Sequence, residues 1–253
     1  MSDGIQWMAD LAYWDVPVVF AQSVGPDELA RRLSVRPTDA TGTALRPMTD
    51  RQAREVVWAD APRPGEDAAG VVRVGECAGW SFALEYGDGT ALHQLRQVSR
   101  GLVEAVYLHP GIERLPAMFQ WAKDGEAVCS FGIGEERIRQ GSCPDVLVPD
   151  LIRGGVLRDG DDYARPDQEP HAERHRRTLG ILEQRFGLAL SRAHMESALL
   201  PAFAVRGAPD DGVLDEPQDA AAMCTWAEAQ GYALGDGRIP AHIREAYRIA
   251  HRI

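Results

Sequence analysis

Two histidines, His171 and His175, stand four residues apart in a segment with a helical apolar pattern, so both rings can lie on one helix face. Imidazole pairs at this spacing can bind zinc. The metalloprotease pattern requires Glu directly after the first His, and this chain has Ala172 there. A third ligand is not evident, and the charge of Arg174 repels cations. We therefore interpret the pair as part of a solvated helix face and predict no metal site.

The segment 75–79 places Cys77 in the spacing of a hydrolase nucleophile elbow, in which a nucleophile stands between two glycines. An elbow requires a strand before it and a helix after it, but residues 80–86 alternate between apolar and polar or small types, as in a strand. We therefore predict a hairpin turn here rather than a nucleophile. No C-x-x-C pair joins the four cysteines, which argues against a zinc ribbon or a redox motif.

Three aspartates, Asp159, Asp161 and Asp162, resemble the start of a calcium-binding loop. The loop positions that require Gly and Glu are held by Ala164 and Pro170, so we interpret the segment as an acidic connection. The chain also lacks a glycine-rich phosphate-binding motif. We therefore predict no cofactor and assign no catalytic residue.

The composition sets limits on the class of protein. The chain has 253 residues, 45% of them hydrophobic, and 27 basic against 38 acidic side chains give a formal net charge of −11. This apolar content excludes a disordered chain, and four cysteines are too few for a disulfide scaffold. The net charge excludes coating of nucleic acid by the whole surface but permits a local basic patch. Without signal-peptide features or a run of about 18 apolar residues, we expect a cytoplasmic protein that does not enter a membrane.

The elements that must position these residues follow from periodicity and turn chemistry. Period-two alternation and short apolar runs predict strands at 17–22, 71–74, 80–86, 102–108, 117–122 and 127–131, with Asp124 and Gly125 at the centre of one hairpin turn. Helical spacing and caps predict helices at 26–33, 49–58, 90–98, 144–153 and 171–186, and one that starts after Ser191.

Strands that follow one another through short turns form antiparallel sheets, so we predict an α+β fold. It consists of an antiparallel sheet of about five strands, helices on one face of that sheet, and a small C-terminal two-helix module. The predicted divisions are an α+β domain at 1–156, an acidic connection with a helical extension at 157–200, a linker at 201–218 and the module at 219–253.

The predicted C-terminal module carries a basic stripe. Two short helices are expected to pack through Trp226 and Tyr247, and Arg244, Arg248 and Arg252 recur every four residues on another face of the second helix. Such a stripe can contact the phosphates of DNA.

The same segment resembles the DNA-binding domain of the actinobacterial Lsr-type, H-NS-like nucleoid-bridging proteins. The matching residues are Trp226, Ala227, Gly231, Leu234, Gly237, Arg238, Ile239, Pro240, Ala241, Ile243, Ala246 and Tyr247. The resemblance implies that a loop with Gly237 and Arg238 enters the minor groove of AT-rich DNA, where negative potential attracts a guanidinium. This chain has Asp236 where the family has its first Arg, so only Arg238 carries over as a groove contact.

Residues 1–200 resemble an actinobacterial family of uncharacterised domains. The resemblance rests on Trp14 and on the segments 26–33, 72–75 and 79–85. It implies an intracellular α+β domain and no established activity.

The first functional hypothesis is a non-enzymatic regulatory or adaptor protein that binds a protein partner and contacts AT-rich DNA or a nucleoid protein through its C-terminal module. Residues 238–253 sum to +3 and the rest of the chain to −14, which permits one local DNA contact. One alternative is an acidic immunity or inhibitor protein that binds a basic partner. Another is an enzyme with dispersed catalytic residues.

Overall fold

A computed structural model gives the fold of residues 4–10, 14–34, 43–59, 69–87, 91–111, 116–160, 162–164, 170–206, 225–227, 229–230, 247 and 250. The strands are β1 (Val18–Ala21), β2 (Thr43–Met48), β3 (Ala69–Cys77), β4 (Trp80–Gly87), β5 (Glu104–His109), β6 (Met118–Lys123), β7 (Glu126–Gly132), β8 (Arg139–Gln140), β9 (Leu157–Arg158), β10 (Asp162–Tyr163) and β11 (Leu200–Arg206). The α-helices are α1 (Pro26–Leu33), α2 (Asp50–Ala59), α3 (Ala91–Val98), α4 (Val148–Arg153), α5 (His171–Phe186) and α6 (Arg192–Ser197), and Gln6–Ala9 and Pro144–Leu147 form short 3₁₀ turns.

Nine of these strands form one antiparallel sheet in the order β2-β11-β3-β4-β1-β5-β6-β7-β8. Strands β9 and β10 form a separate two-stranded hairpin. The predicted α+β class with an antiparallel sheet is therefore confirmed. The predicted number of about five strands is wrong, because the sheet has nine.

The strands that the sequence did not reveal have weak strand signals. Strand β2 contains Pro47 and lies at the edge of the sheet, where a missing backbone donor is tolerated. Strand β11 contains Pro201 at a register shift between Leu200 and Ala202, and β8 has only two residues. Strand β11 begins at the end of the predicted helical extension and runs into the predicted linker, so the sheet continues beyond residue 156.

The predicted helices at 26–33, 49–58, 90–98 and 171–186 agree with the structure within one or two residues at their ends. The predicted helix at 144–153 is a 3₁₀ turn followed by α4, and the helix expected to run from Ser191 to Leu200 ends at Ser197, because Leu200 begins β11. Helix α5 ends at Gly187, whose φ of 68° is a conformation that glycine adopts without strain. The side chain of Ser191 caps α6 by accepting a hydrogen bond of 3.0 Å from the backbone nitrogen of His194. Among the described helices, none combines the length and the apolar character that a bilayer crossing needs.

Both predicted hairpins are confirmed. Ala78 and Gly79 join β3 to β4 with φ of 51° and 82°, and Asp124 and Gly125 join β6 to β7 with φ of 49° and 83°. Positive φ at both central residues is typical of the two-residue turn that matches the twist of paired strands. Cys77 pairs with Trp80 beside the first turn, so its surroundings are a hairpin and not a nucleophile elbow.

Helices cover both faces of the sheet, which corrects the expectation that they cover one. In β4, Phe82 and Leu84 join the larger core beneath α2, α5 and α6, whereas Ala83 joins a second core beneath α1 and α3. Ser81 and Ala83 alternate with large apolar residues, and this pattern is typical of a strand with one face in solvent. These small side chains instead leave room for helices to pack closely.

One buried cation joins the strands near β2. Arg73 of β3 is 0% exposed. Its guanidinium donates to the Met48 carbonyl at 3.0 Å, the Tyr86 hydroxyl at 2.7 Å, and the Met195 and Ala198 carbonyls at 2.8 and 2.7 Å. The partners come from β2, from β4, from α6 and from the residue that follows α6. A buried charge is tolerated when its donors find acceptors in this way.

We expect Arg73→Ala to lower the free energy of unfolding by roughly 3 kcal/mol or more, because three backbone carbonyls lose their donor inside the core. Urea denaturation followed by circular dichroism measures this change. Arg51→Ala is the matched control, since that side chain is 87% exposed and its loss should change stability by less than about 0.5 kcal/mol. Similar midpoints for the two variants would show that Arg73 does not hold these strands together.

Candidate functional site

The predicted DNA-contacting residues Gly237, Arg238, Arg244, Arg248 and Arg252 all lie outside the described residues. Their contribution to DNA binding therefore stays a prediction.

The contact predicted between Trp226 and Tyr247 is present, whereas most of the two predicted C-terminal helices lies outside the described residues. The rings of Trp226 and Tyr247 meet edge to face, with centroids 5.6 Å apart and planes at 80°. Tyr247 is 7% exposed and Ala227 is 0% exposed. Aromatic pairs in this geometry stabilise the contact beyond their buried area.

The predicted acidic connection includes an ion pair. Asp162 lies 3.3 Å from the guanidinium of Arg158 across the β9–β10 hairpin, and Asp161 lies outside the described residues. Within the described part of the chain, no group of three or more His, Cys, Asp or Glu side chains is placed to hold a metal ion.

A group of polar side chains with a buried centre gathers around Gly134, in the turn that follows β7. Helix α5 presents residues at the i, i+3, i+4 and i+7 positions to this turn, and β10 adds a tyrosine beside them. This Gly134 cluster consists of Gly134, Glu136, Tyr163, His171, Arg174, His175 and Thr178.

Glu136 holds the cluster to the turn. Its side chain is 0% exposed, and Oε1 accepts hydrogen bonds from the Thr178 hydroxyl at 2.6 Å and the Gly134 backbone nitrogen at 2.7 Å. Oε2 is buried and has no hydrogen-bond partner among the described residues. Burial raises the pKa of Glu136, although Thr178, the turn backbone and the charge of Arg174 act in the opposite direction.

His175 is the buried member of the histidine pair. It is 1% exposed, and its ring centroid lies 4.1 Å from that of His171, which is exposed. Burial, and then the proximity of His171, lowers the pKa of His175 to about 4, while a hydrogen bond with the Ile133 backbone favours the protonated form. The solvated face predicted for the pair is thus correct for His171 and wrong for His175, because α5 packs against the 133–136 turn.

Gly134 allows the two rings to approach the turn. Its φ is +98°, and a Cβ atom at this position would lie 3.2 Å from Nε2 of both His171 and His175. The Tyr163 hydroxyl donates to the Gly134 carbonyl at 3.1 Å. A larger residue would have to adopt a strained backbone and displace both imidazoles, so glycine is required here.

Unpaired polar atoms concentrate in this cluster. Glu136 Oε2, Arg174 Nε and His175 Nε2 are all buried without a hydrogen-bond partner among the described residues. The Arg174 guanidinium stacks over the Tyr163 ring at 5.2 Å. Buried polar atoms are nearly always paired in folded proteins, so three in one place make this cluster the candidate site. The spacing of the histidines was visible in the sequence, but no pattern there identified Gly134 or Glu136.

The fold and the cluster define an α+β protein with one antiparallel sheet covered by helices on both faces and a buried titratable site beside α5. The model of the family of unknown function DUF6461 matches residues 7–210, which is most of the chain. The chain belongs to this family. The matched range includes the whole nine-stranded sheet and ends before the predicted C-terminal module, so the Lsr-type resemblance stays a prediction. No curated protein and no solved structure matches the chain.

Glu136→Gln removes the charge that burial disfavours while keeping the shape of the side chain. Because the pKa of Glu136 is raised by folding, its stabilising contribution is complete below its unfolded pKa and is lost as pH rises through its folded pKa. We therefore expect the wild type to lose stability relative to the variant as pH rises above about 4.5, the ordinary pKa of a glutamate. Urea titrations of both proteins at several pH values measure the difference. A difference that does not change with pH would contradict this assignment.

The cysteines differ in reactivity because they differ in burial. Burial raises the pKa of Cys129 to about 12, and its thiol donates to the Pro144 carbonyl at 3.3 Å. Cys143 is exposed. Since the thiolate is the reactive form, we expect iodoacetamide at about pH 8 to modify Cys143 in the native protein and Cys129 only after unfolding. Peptide mass spectrometry separates the two sites, and labelling of both at the same rate would contradict the expectation.

Proposed function

We propose that the chain is a non-enzymatic regulatory or adaptor protein whose C-terminal module contacts AT-rich DNA or a nucleoid protein. The observation that carries the proposal is the edge-to-face contact of Trp226 and Tyr247. If two helices pack through these rings, the face of the second helix that carries Tyr247 is covered and another face is left for a partner. The helical repeat assigns Arg244, Arg248 and Arg252 to that other face.

The charge distribution supports a small contact of this kind. Residues 238–253 sum to +3 against −14 for the rest of the chain, so DNA would be attracted to the basic end and repelled elsewhere. Asp236 weakens entry into the groove, because its carboxylate is repelled by phosphates. The contact then depends on Arg238 in the groove and on the arginine stripe at the phosphates.

The acidic body suits the second half of the proposal, the binding of a protein partner. Complementary charge accelerates the association of an acidic surface with a basic one. The proposal places the chain in the cytoplasm, where free thiols such as those of Cys77 and Cys143 persist.

Electrophoretic mobility shift of the full chain with an AT-rich duplex tests the DNA contact. At about 50 mM salt, where phosphate contacts are strongest, we expect a shift that weakens as salt rises. The double variant Arg244→Ala/Arg248→Ala should bind more weakly and reduce the salt dependence by about one unit of slope for each arginine. Arg51→Ala, an exposed arginine of the acidic body, is the control and should bind as the wild type does.

The outcomes separate the alternatives. No shift of the wild type at low salt, or equal shifts for the wild type and the double variant, would contradict the DNA contact. A DNA-independent complex with a basic protein partner would then favour the immunity or inhibitor function.

A further inference from the structure

The two histidines of the Gly134 cluster place their Nε2 atoms against the same glycine. Nε2 of His171 and Nε2 of His175 each lie 3.2 Å from the same point, the position of a Cβ on Gly134. The rings are 4.1 Å apart with planes at 51°, so they are neighbours that are not stacked in parallel. The DNA-binding proposal makes no use of this pair.

We propose that His171 and His175 form a two-nitrogen binding site for one late transition-metal ion of the Ni²⁺, Cu²⁺ or Zn²⁺ type. Imidazole nitrogens are preferred ligands of these ions, and the i, i+4 spacing on a helix places two of them on the same face.

His175 has the features of a pre-oriented ligand. Nε2 is buried and has no hydrogen-bond partner among the described residues, and the packing of α5 on the 133–136 turn holds the ring in place.

The surrounding charges are more balanced than the sequence indicates. Arg174 stacks on Tyr163 and lies close enough to Glu136 to lower the pKa of its carboxyl. Arg176 forms an ion pair with Glu173. The carboxylate of Glu136, when ionised, offsets part of the cationic repulsion at the histidines.

The site offers two protein ligands and can be reached only from the side of the exposed His171, because Nε2 of His175 is buried. Within the described part of the chain, no third metal-ligating side chain completes the set, so water would fill the remaining positions of the ion. Two imidazoles and water bind more weakly than the four protein ligands of a structural zinc site. The ion therefore binds reversibly and does not contribute to folding as a structural zinc does.

Calorimetric titration of the untagged full chain with Ni²⁺ at pH 7.5, with Mg²⁺ as the hard-ion comparison, tests the site. We expect one Ni²⁺ per chain and no heat of binding for Mg²⁺, which prefers oxygen ligands. His171→Ala is the informative variant, because this side chain is exposed and its loss leaves the core intact. It should weaken Ni²⁺ binding at least about tenfold.

His194→Ala is the matched control. His194 lies on α6, where its ring contacts the ring of Phe82, and it is not part of the Gly134 cluster. It should bind Ni²⁺ as the wild type does. His175→Gln removes the buried ligand and should abolish the same site, with circular dichroism to check that it folds. Failure of the wild type to bind Ni²⁺ at about 100 µM, or unchanged binding by folded His171→Ala, would overturn the proposal. The DNA-binding proposal is tested on other residues and is unaffected by either result.

Discussion

The hydrogen bonds of the buried Arg73 guanidinium hold together segments that lie far apart in the chain. Its donors reach Met48, Tyr86, Met195 and Ala198, which belong to the beginning, the middle and the end of the sheet-forming sequence. A charge with no exposed surface is stable only if all three segments are in place at once. The guanidinium therefore makes the position of β2 depend on the packing of α6 and of the residue that follows it.

In the Gly134 cluster, unlike at Arg73, several buried polar atoms lack hydrogen-bond partners among the described residues. Around Arg73, each nitrogen of the guanidinium has an acceptor, and such a network makes that part of the core rigid and unique. Around Gly134, atoms of Glu136, Arg174 and His175 stay without partners among the described residues. A buried polar atom without a hydrogen-bond partner lowers stability. Natural proteins keep such atoms mainly at sites of binding or catalysis. The two networks therefore differ in that the polar atoms around Arg73 are satisfied within the fold, whereas several of those around Gly134 are not.

Much of the fold could be predicted from local signals. The turns at Ala78-Gly79 and Asp124-Gly125 and the helices of the chain follow from turn residues, caps and periodicity, which act over a few residues. Strand β11 could not be recognised, because Pro201 lies within it and its pairing with β2 and β3 depends on tertiary context. The second helical layer was missed for the same reason: small residues are compatible with solvent or with a close helix.

The candidate site was predictable only in part. The spacing of His171 and His175 shows that they share a helix face, but it does not show what that face contacts. Gly134 and Glu136 come from a turn more than thirty residues earlier, and only the packing of α5 on that turn brings them together. The C-terminal arginines, in contrast, were identified from spacing and resemblance alone.

The position of β11 between β2 and β3 has a consequence for synthesis on the ribosome. Strands β3 to β7 can pair as they emerge, whereas β2 waits at the edge of the sheet for a partner that is made more than 150 residues later. Until then β3 presents an open edge of backbone donors and acceptors, the kind of surface that templates aggregation. A nascent chain that stalls before residue 200 would need protection by a chaperone, and the predicted C-terminal module would leave the ribosome only after that edge had closed.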